Sequence, residues 1–195
     1  MSTPVFLKSA SGHADFPADV GREVAFVGRS NSGKSTAVNL IAGVRKLARV
    51  SKTPGRTRLV NFFSVGLEQR LVDLPGYGFA RVAPAAQERW RTLLEAYFAR
   101  RRSLAGLMVT VDIRRGLGVL DEQMLAWVEP FDLRVAVLLT KADKLSRSAG
   151  LSAERDVAKQ LAGRAEVIRF SAIGREGVAE ARAWLDACLA GSEEG

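Results

Sequence analysis

A chain of 195 residues, 47% of them hydrophobic, suits one α/β domain and is too short for two sizeable cores. Its single cysteine, Cys188, excludes an intrachain disulfide, and no apolar run approaches the roughly 18 residues of a membrane span; with no signal-peptide core in Met1 to Lys8, the expectation is a cytoplasmic protein without a membrane partner. The formal net charge of +8 and a pI of about 10.2 are unusual for an enzyme of small molecules and point to a polyanionic partner.

In chain order, residues 1–22 carry Pro4, Gly12, the lone His13 and Pro17, and read as an extended arm. The apolar run Val24 to Val27 is a buried strand. It meets the stretch Gly28, Arg29, Ser30, Asn31, Ser32, Gly33, Lys34, Ser35, after which Val38, Ile41 and Ala42 recur at helical spacing until Gly43. Arg45, Lys46, Arg49, Lys52, Arg56 and Arg58 then follow with no acidic residue among them, broken by Thr53, Pro54 and Gly55, which a helix would not tolerate. Two readings of this basic loop stay open: a solvated segment that helps hold a nucleotide, or a contact to nucleic acid.

Leu59 to Val65 and Arg70 to Leu74 flank Gly66 and are rich enough in β-branched and aromatic types to pair as antiparallel strands. From Pro84 a long helix presents Trp90, Leu93, Leu94, Tyr97 and Phe98 on one stripe, read as packing, and Arg100, Arg101 and Arg102 sit where cations favour a helix C-terminus. Leu107 to Val111 is a strand ending at Asp112; Asp121 opens a helix with Met124, Trp127 and Val128 inward. The strand Val135 to Leu139, a helix over 153–161, the strand Val167 to Phe170 and a helix with Val178, Ala181, Trp184, Leu185 and Cys188 inward complete the alternation, and residues 191–195 read as a frayed tail. Apolar strands alternating with amphipathic helices predict a parallel sheet covered on both faces.

The stretch 28–35 fits G-x-x-x-x-G-K-[ST] between a strand and a helix, the context that makes the pattern credible. Backbone N–H groups can wrap phosphates there only if no side chain at Gly28 or Gly33 holds the chain away; Lys34 would reach phosphate oxygens and Ser35 a Mg²⁺ ion. Three more stretches, Asp73 to Gly76, Thr140 to Asp143 and Ser171 with Ala172, also follow predicted strands, at the end of an open parallel sheet where ligands bind.

With these motifs the chain resembles the translation-factor-related GTPases, and within them the EngB (YihA/YsxC) family of bacterial ribosome-biogenesis GTP-binding proteins. The resemblance runs over nearly the whole length, on residues 23–35, Lys52 to Thr57, Val72 to Gly78, Thr140 to Lys144 and Phe170 to Ala172. It implies a three-layer P-loop GTPase fold with one antiparallel strand in a mostly parallel sheet, and a single GTPase domain over 23–190. It also implies a GTP site drawn from residues 28–35, Gly55, Arg56, Thr57, Arg58, Leu59, Asp73, Leu74, Pro75, Gly76, Thr140, Lys141, Ala142, Asp143, Phe170, Ser171 and Ala172. Asp143 would accept two hydrogen bonds, from the guanine N1–H and 2-amino group, a pair that adenine cannot supply, while the backbone at Ser171 and Ala172 would meet the guanine oxygen.

Ser35 and Thr57 would ligate Mg²⁺, Asp73 would hold a metal-bound water, and the Gly76 amide would contact the γ-phosphate, with Thr53 as the rival for Thr57. Residues 45–58 and 76–82 would be the switches. Thr140, where most GTPases have Asn, would tie the base motif to the phosphate loop less firmly and leave a moderate affinity. Tyr77 stands where many GTPases place the Gln that orients water, which predicts slow turnover, with Lys34, Thr57, Gly76 and Asn31 as the residues that would serve the reaction. Asn31 would either hold a bound K⁺ or only brace its loop, and Arg56, Arg58 and Arg81 are candidate arginine fingers.

The function implied is a monomeric, GTP-dependent switch in assembly of the large ribosomal subunit, its partner a subunit precursor or rRNA, and the family is tied to normal cell division and septation. A P-loop phosphotransferase or ATPase is the alternative, which would have no use for Asp143. A membrane-traffic GTPase ranks third, for want of a lipidation motif.

Overall fold

The computed structural model describes residues 2–44, 47–48, 59–78, 84–131 and 133–191. Among these residues seven strands form one sheet, in the order β1-β3-β4-β2-β5-β6-β7. They are β1 (Val5–Ala10), β2 (Arg22–Gly28), β3 (Val60–Gly66), β4 (Gln69–Asp73), β5 (Leu104–Asp112), β6 (Arg134–Thr140) and β7 (Glu166–Arg169). Only β3 runs against its neighbours, pairing antiparallel with both β1 and β4, while β4-β2-β5-β6-β7 are parallel throughout. Helices α1 (Lys34–Ala42), α2 (Pro84–Arg100), α3 (Val119–Val128), α4 (Arg147–Leu161) and α5 (Val178–Ala190) cover the sheet.

The two faces follow from the alternation along each strand. In β2, Ala25 and Val27 pack with Leu94 and Tyr97 of α2, Met124 of α3 and Leu161 of α4. Val24 and Phe26 point the other way, onto Ile41 of α1 and Trp184, Leu185 and Cys188 of α5. Cys188 is buried there, and its thiol pKa is pushed up by that burial.

The N-terminal arm departs from its expected role as a lead-in. It is extended, but Val5–Ala10 pairs with β3 from Val5↔Ser64 to Ala10↔Val60 and closes one edge of the sheet. The segment behind it is held by residues far along the chain. Arg101, of the triplet expected at a helix C-terminus and found there, is buried. It donates to both oxygens of the fully buried Glu23, Nε to Oε2 at 3.0 Å and Nη2 to Oε1 at 2.5 Å, and to the Pro17 carbonyl at 2.7 Å. Arg70 joins Glu23 to the Val20 carbonyl, and the Tyr97 hydroxyl donates to Glu23 Oε2 at 3.2 Å. No sequence pattern pairs these residues, because the partners lie 47 to 84 positions apart.

Register sets what the sheet presents at its far end. Phe26 lies opposite Asp73, Gly28 opposite Thr110, and Asp112 opposite Thr140. The carboxyl ends of β2, β4, β5 and β6 therefore open at one level, and the loops that follow them meet.

Candidate functional site

The loop after β2 closes on itself and on its neighbours through backbone geometry that only a few residue types allow. An added Cβ at Gly28 would stand 2.1 Å from Thr110 Oγ1, so no side chain fits; Gly33 takes φ 93° as the residue capping α1. Asn31 also sits in the left-handed region, at φ 65°. The first turn of α1 has no side-chain cap, which leaves its N–H groups facing the loop, the arrangement that binds phosphate.

Side chains then lock the loop to β5 and β6. Ser32 and Thr110 share a hydroxyl hydrogen bond of 2.6 Å between buried groups. Thr140 donates its hydroxyl to the Ser32 carbonyl, so the tie expected to be loosened by a residue shorter than Asn is made. Lys141, itself at φ 61°, reaches across to the Asn31 carbonyl at 2.7 Å and to Asp112 Oδ2 at 2.8 Å. The Asn31 side-chain amide has no hydrogen-bond partner among the described residues, so its carbonyl is what braces the loop.

Asp112 is held well below the usual carboxylate range, first by hydrogen bonds from Arg114 and then by Lys141, against a burial that works the other way. A cleft of about 110 Å³ runs between this group and the phosphate loop, lined by Arg29, Asn31, Asp112, Arg115, Asp121 and Lys141 among others.

At the end of β4, Lys34 Nζ is bonded to Asp73, which is 3% exposed. Ser35 follows Lys34 in the first turn of α1. This donor set is all oxygen, and among the described residues no cluster of three or more His, Cys, Asp or Glu can hold a metal. It suits a hard ion such as Mg²⁺ that draws most of its ligands from phosphate and water, and does not suit a transition metal held by the protein alone.

Leu74 is core, its amide bonded to the Phe26 carbonyl, and Phe170 is core as well, so its contribution here is the carbonyl that accepts from Ala142 N at 3.1 Å. Ser171 donates its hydroxyl to Asp143 Oδ1 at 2.8 Å and accepts from Gly174 N at 3.1 Å. That bond, with help from Lys144, lowers the pKa of Asp143 and holds it as an oriented anion.

Tyr77 is turned away from the phosphate loop's open side. It is 5% exposed, its hydroxyl donates to Asp121 Oδ1 at 2.7 Å, and burial together with Asp121 pushes its pKa far up. Its backbone is stitched to the loop by Tyr77 N to Gly28 O at 3.2 Å and Ser30 N to Tyr77 O at 3.0 Å. Asp121, expected only to open α3, does so by accepting from Gly118 N at 2.8 Å, and adds the tie to Tyr77 and a contact to Arg29 at 3.9 Å.

Gly55, Arg56, Thr57 and Arg58 lie outside the described residues, as do Thr53, Arg81 and all six cations of the basic segment. Leu59 is described and 39% exposed at the start of β3. Thr110, Asp112 and Asp121 are the residues of this end that the sequence left without a role in it. For Thr110 a signal existed, a lone hydroxyl in an otherwise apolar strand.

The chain is similar to known proteins over most of its length. The profile of the family described as 50S ribosome-binding GTPase matches residues 23–141. A protein of Coxiella burnetii named probable GTP-binding protein EngB is 44% identical over 183 residues, 92% of this chain and 89% of that one. Its counterpart in Salmonella paratyphi C is 47% identical over 184 residues, 93% and 88% of the two chains. Among solved structures, a probable GTP-binding protein engB aligns with a TM-score of 0.70 at 21% identity over 86% of this chain and 98% of that one. Era in complex with MgGDPNP and nucleotides of 16S ribosomal RNA aligns at 0.65 and 21% identity over 85% of this chain and 56% of Era.

Proposed function

The chain belongs to the EngB family of GTP-binding proteins, GTPases that bind GTP and GDP, and from that premise we propose that it is a slow, nucleotide-dependent switch in assembly of the large ribosomal subunit. Residues 23–190 act as one GTPase domain. The observation that carries the reading is the meeting, at one end of the sheet, of an uncapped helix N-terminus at Lys34, the paired Lys34 and Asp73, and the oriented carboxylate of Asp143.

Each group has a task in such a site. The N–H groups at the start of α1, those of Gly33, Lys34 and Ser35, wrap the phosphates, and a triphosphate competes with Asp73 for the Lys34 ammonium. The hydroxyls of Ser35 and Thr57 would ligate Mg²⁺ and Asp73, so released, would hold a water bound to it; the ion when bound neutralises charge on the β- and γ-phosphates. Asp143 accepts from guanine, and Ser171 fixes the direction from which it does so. Thr140 and Lys141 keep the base motif in register with the phosphate loop.

Turnover is slow because the Tyr77 hydroxyl is committed to Asp121 and cannot orient water. Asn31, with its amide unengaged and exposed, is the residue that would meet K⁺, and equal hydrolysis rates in K⁺ and Na⁺ would remove that role. No helix among the described residues is long and apolar enough to cross a membrane. The net charge of +8 supports ribosomal RNA as the polyanion, with the basic segment 45–58 as the gated contact and the protein a cytoplasmic monomer. An effect on division and septation would follow from impaired ribosome supply.

The test is sedimentation with purified ribosomal subunits across a salt series, with a non-hydrolysable GTP analogue, GDP or no nucleotide. The expected result is association with the large subunit that is strongest with the analogue and falls steeply with salt. Binding that ignores the nucleotide would overturn the switch.

A further inference from the structure

The indole of Trp90 does more than pack. Its ring lies against Trp127, centroids 6.3 Å apart, but its Nε1–H donates to the Pro75 carbonyl at 3.1 Å. That carbonyl and the Gly76 N–H belong to one peptide unit, which is trans, so the two groups point in opposite directions. Gly76 is buried, and its N–H has no acceptor among the described residues. A buried amide without a partner calls for an explanation.

The chain on both sides of this peptide is gripped. Leu74 N donates to Phe26 O at 2.9 Å, and Tyr77 N to Gly28 O at 3.2 Å. A Cβ added to Gly76 would stand 2.9 Å from Gly28 O, so the phosphate loop passes directly against it. Between two fixed neighbours the remaining freedom is rotation of the 75–76 peptide plane, and Trp90 holds its carbonyl on the α2 side.

We propose that Trp90 is the positioning residue for recognition of the γ-phosphate: by holding the Pro75 carbonyl it keeps the Gly76 N–H turned away from α2, ready to donate to a group that GTP has and GDP lacks. The proposal rests on the reading of this end of the sheet as a GTP site. Hydrogen bonds at the two ends of one peptide polarise each other, so a phosphate on Gly76 strengthens the bond to Trp90 and α2 senses the nucleotide.

Two variants separate this from packing. Trp90→Phe keeps a ring beside Trp127 and loses the donor; β-(3-benzothienyl)alanine, placed at position 90 by stop-codon suppression, keeps the bicyclic shape with sulfur in place of N–H. Dissociation constants for GDP and for a non-hydrolysable GTP analogue are measured by fluorescence competition, with kcat and KM for GTP and a thermal melt. Both variants are expected to bind the analogue about fivefold more weakly while GDP stays within about twofold, the loss expected of one hydrogen-bond donor.

An unchanged ratio of the two affinities in the benzothienyl variant overturns the proposal, and so does an equal loss for both nucleotides. If the unaltered protein binds neither guanine nucleotide, the GTP reading itself falls; if it binds both and the ratio does not move, only the role of Trp90 falls.

Discussion

The parallel sheet carries charge at both of its ends and uses it in opposite ways. Where the strands begin, Glu23 is fully buried and receives Arg70, Arg101 and Tyr97, while the arginines also take the carbonyls of Pro17 and Val20. Each group there is answered from within, and the result holds the N-terminal segment to α2 and β4. Where the strands end, the first-turn N–H groups of α1, the Gly76 amide and the Asn31 side chain are left unanswered among the described residues, and the Lys34 to Asp73 pair can exchange partners. The same residue types make a closed clamp at one end and a receptive surface at the other. Internal satisfaction of polar groups separates the two.

The largest effect should come from the closed end. Glu23→Ala strands two arginines in a buried place and is expected to cost about 3–5 kcal/mol in urea unfolding, with GDP affinity of the folded fraction unchanged. A cost below about 1 kcal/mol would break the view of this network as a clamp. At the receptive end the balance reverses. Asp143→Asn is expected to weaken GDP binding at least a hundredfold, roughly, for the loss of two charge-assisted hydrogen bonds, with the melting midpoint moved by no more than about 2 °C.

Tyr77 sharpens the comparison because it stands at the receptive end and is built like the closed one. Tyr77→Phe removes one donor to the buried Asp121 and should cost about 1–2 kcal/mol of stability, again with little change in GDP affinity by titration. A large loss of nucleotide affinity would instead place this hydroxyl in the binding surface. The smallest effect concerns acid. The folded-state pKa of Asp112 is depressed by Arg114 and Lys141, so its contribution is full above the ordinary carboxylate range and is lost as pH falls through the lower, folded value. Asp112→Asn should therefore flatten the fall of the melting temperature below about pH 4, and an unaltered slope in a pH series of melts would show that the pair adds nothing to stability.

What the sequence determined by itself is whatever is local or periodic. Alternation and helical spacing assign the strands and helices and the face each one buries, because a side chain's direction follows from its position in the repeat. The spacing from Gly28 to Ser35 specifies a phosphate loop, because backbone geometry there depends on which residues lack a Cβ or tolerate a positive φ. The order of the four motifs along the chain, together with a parallel sheet, brings them to one end.

The tertiary structure alone decided the partners of polar groups far apart in the chain. The edge pairing of β1 with β3, Arg101 on Glu23 and Tyr77 on Asp121 join residues that no repeat connects, 44 positions apart in the last case. In the sequence, Arg101 is one of three arginines at a helix end, Tyr77 a residue after a glycine, and Trp90 part of an aromatic stripe. A hydrogen bond depends on distance and direction in space, so which of these groups would be closed off and which left open to a ligand could be decided only when the strands were in register.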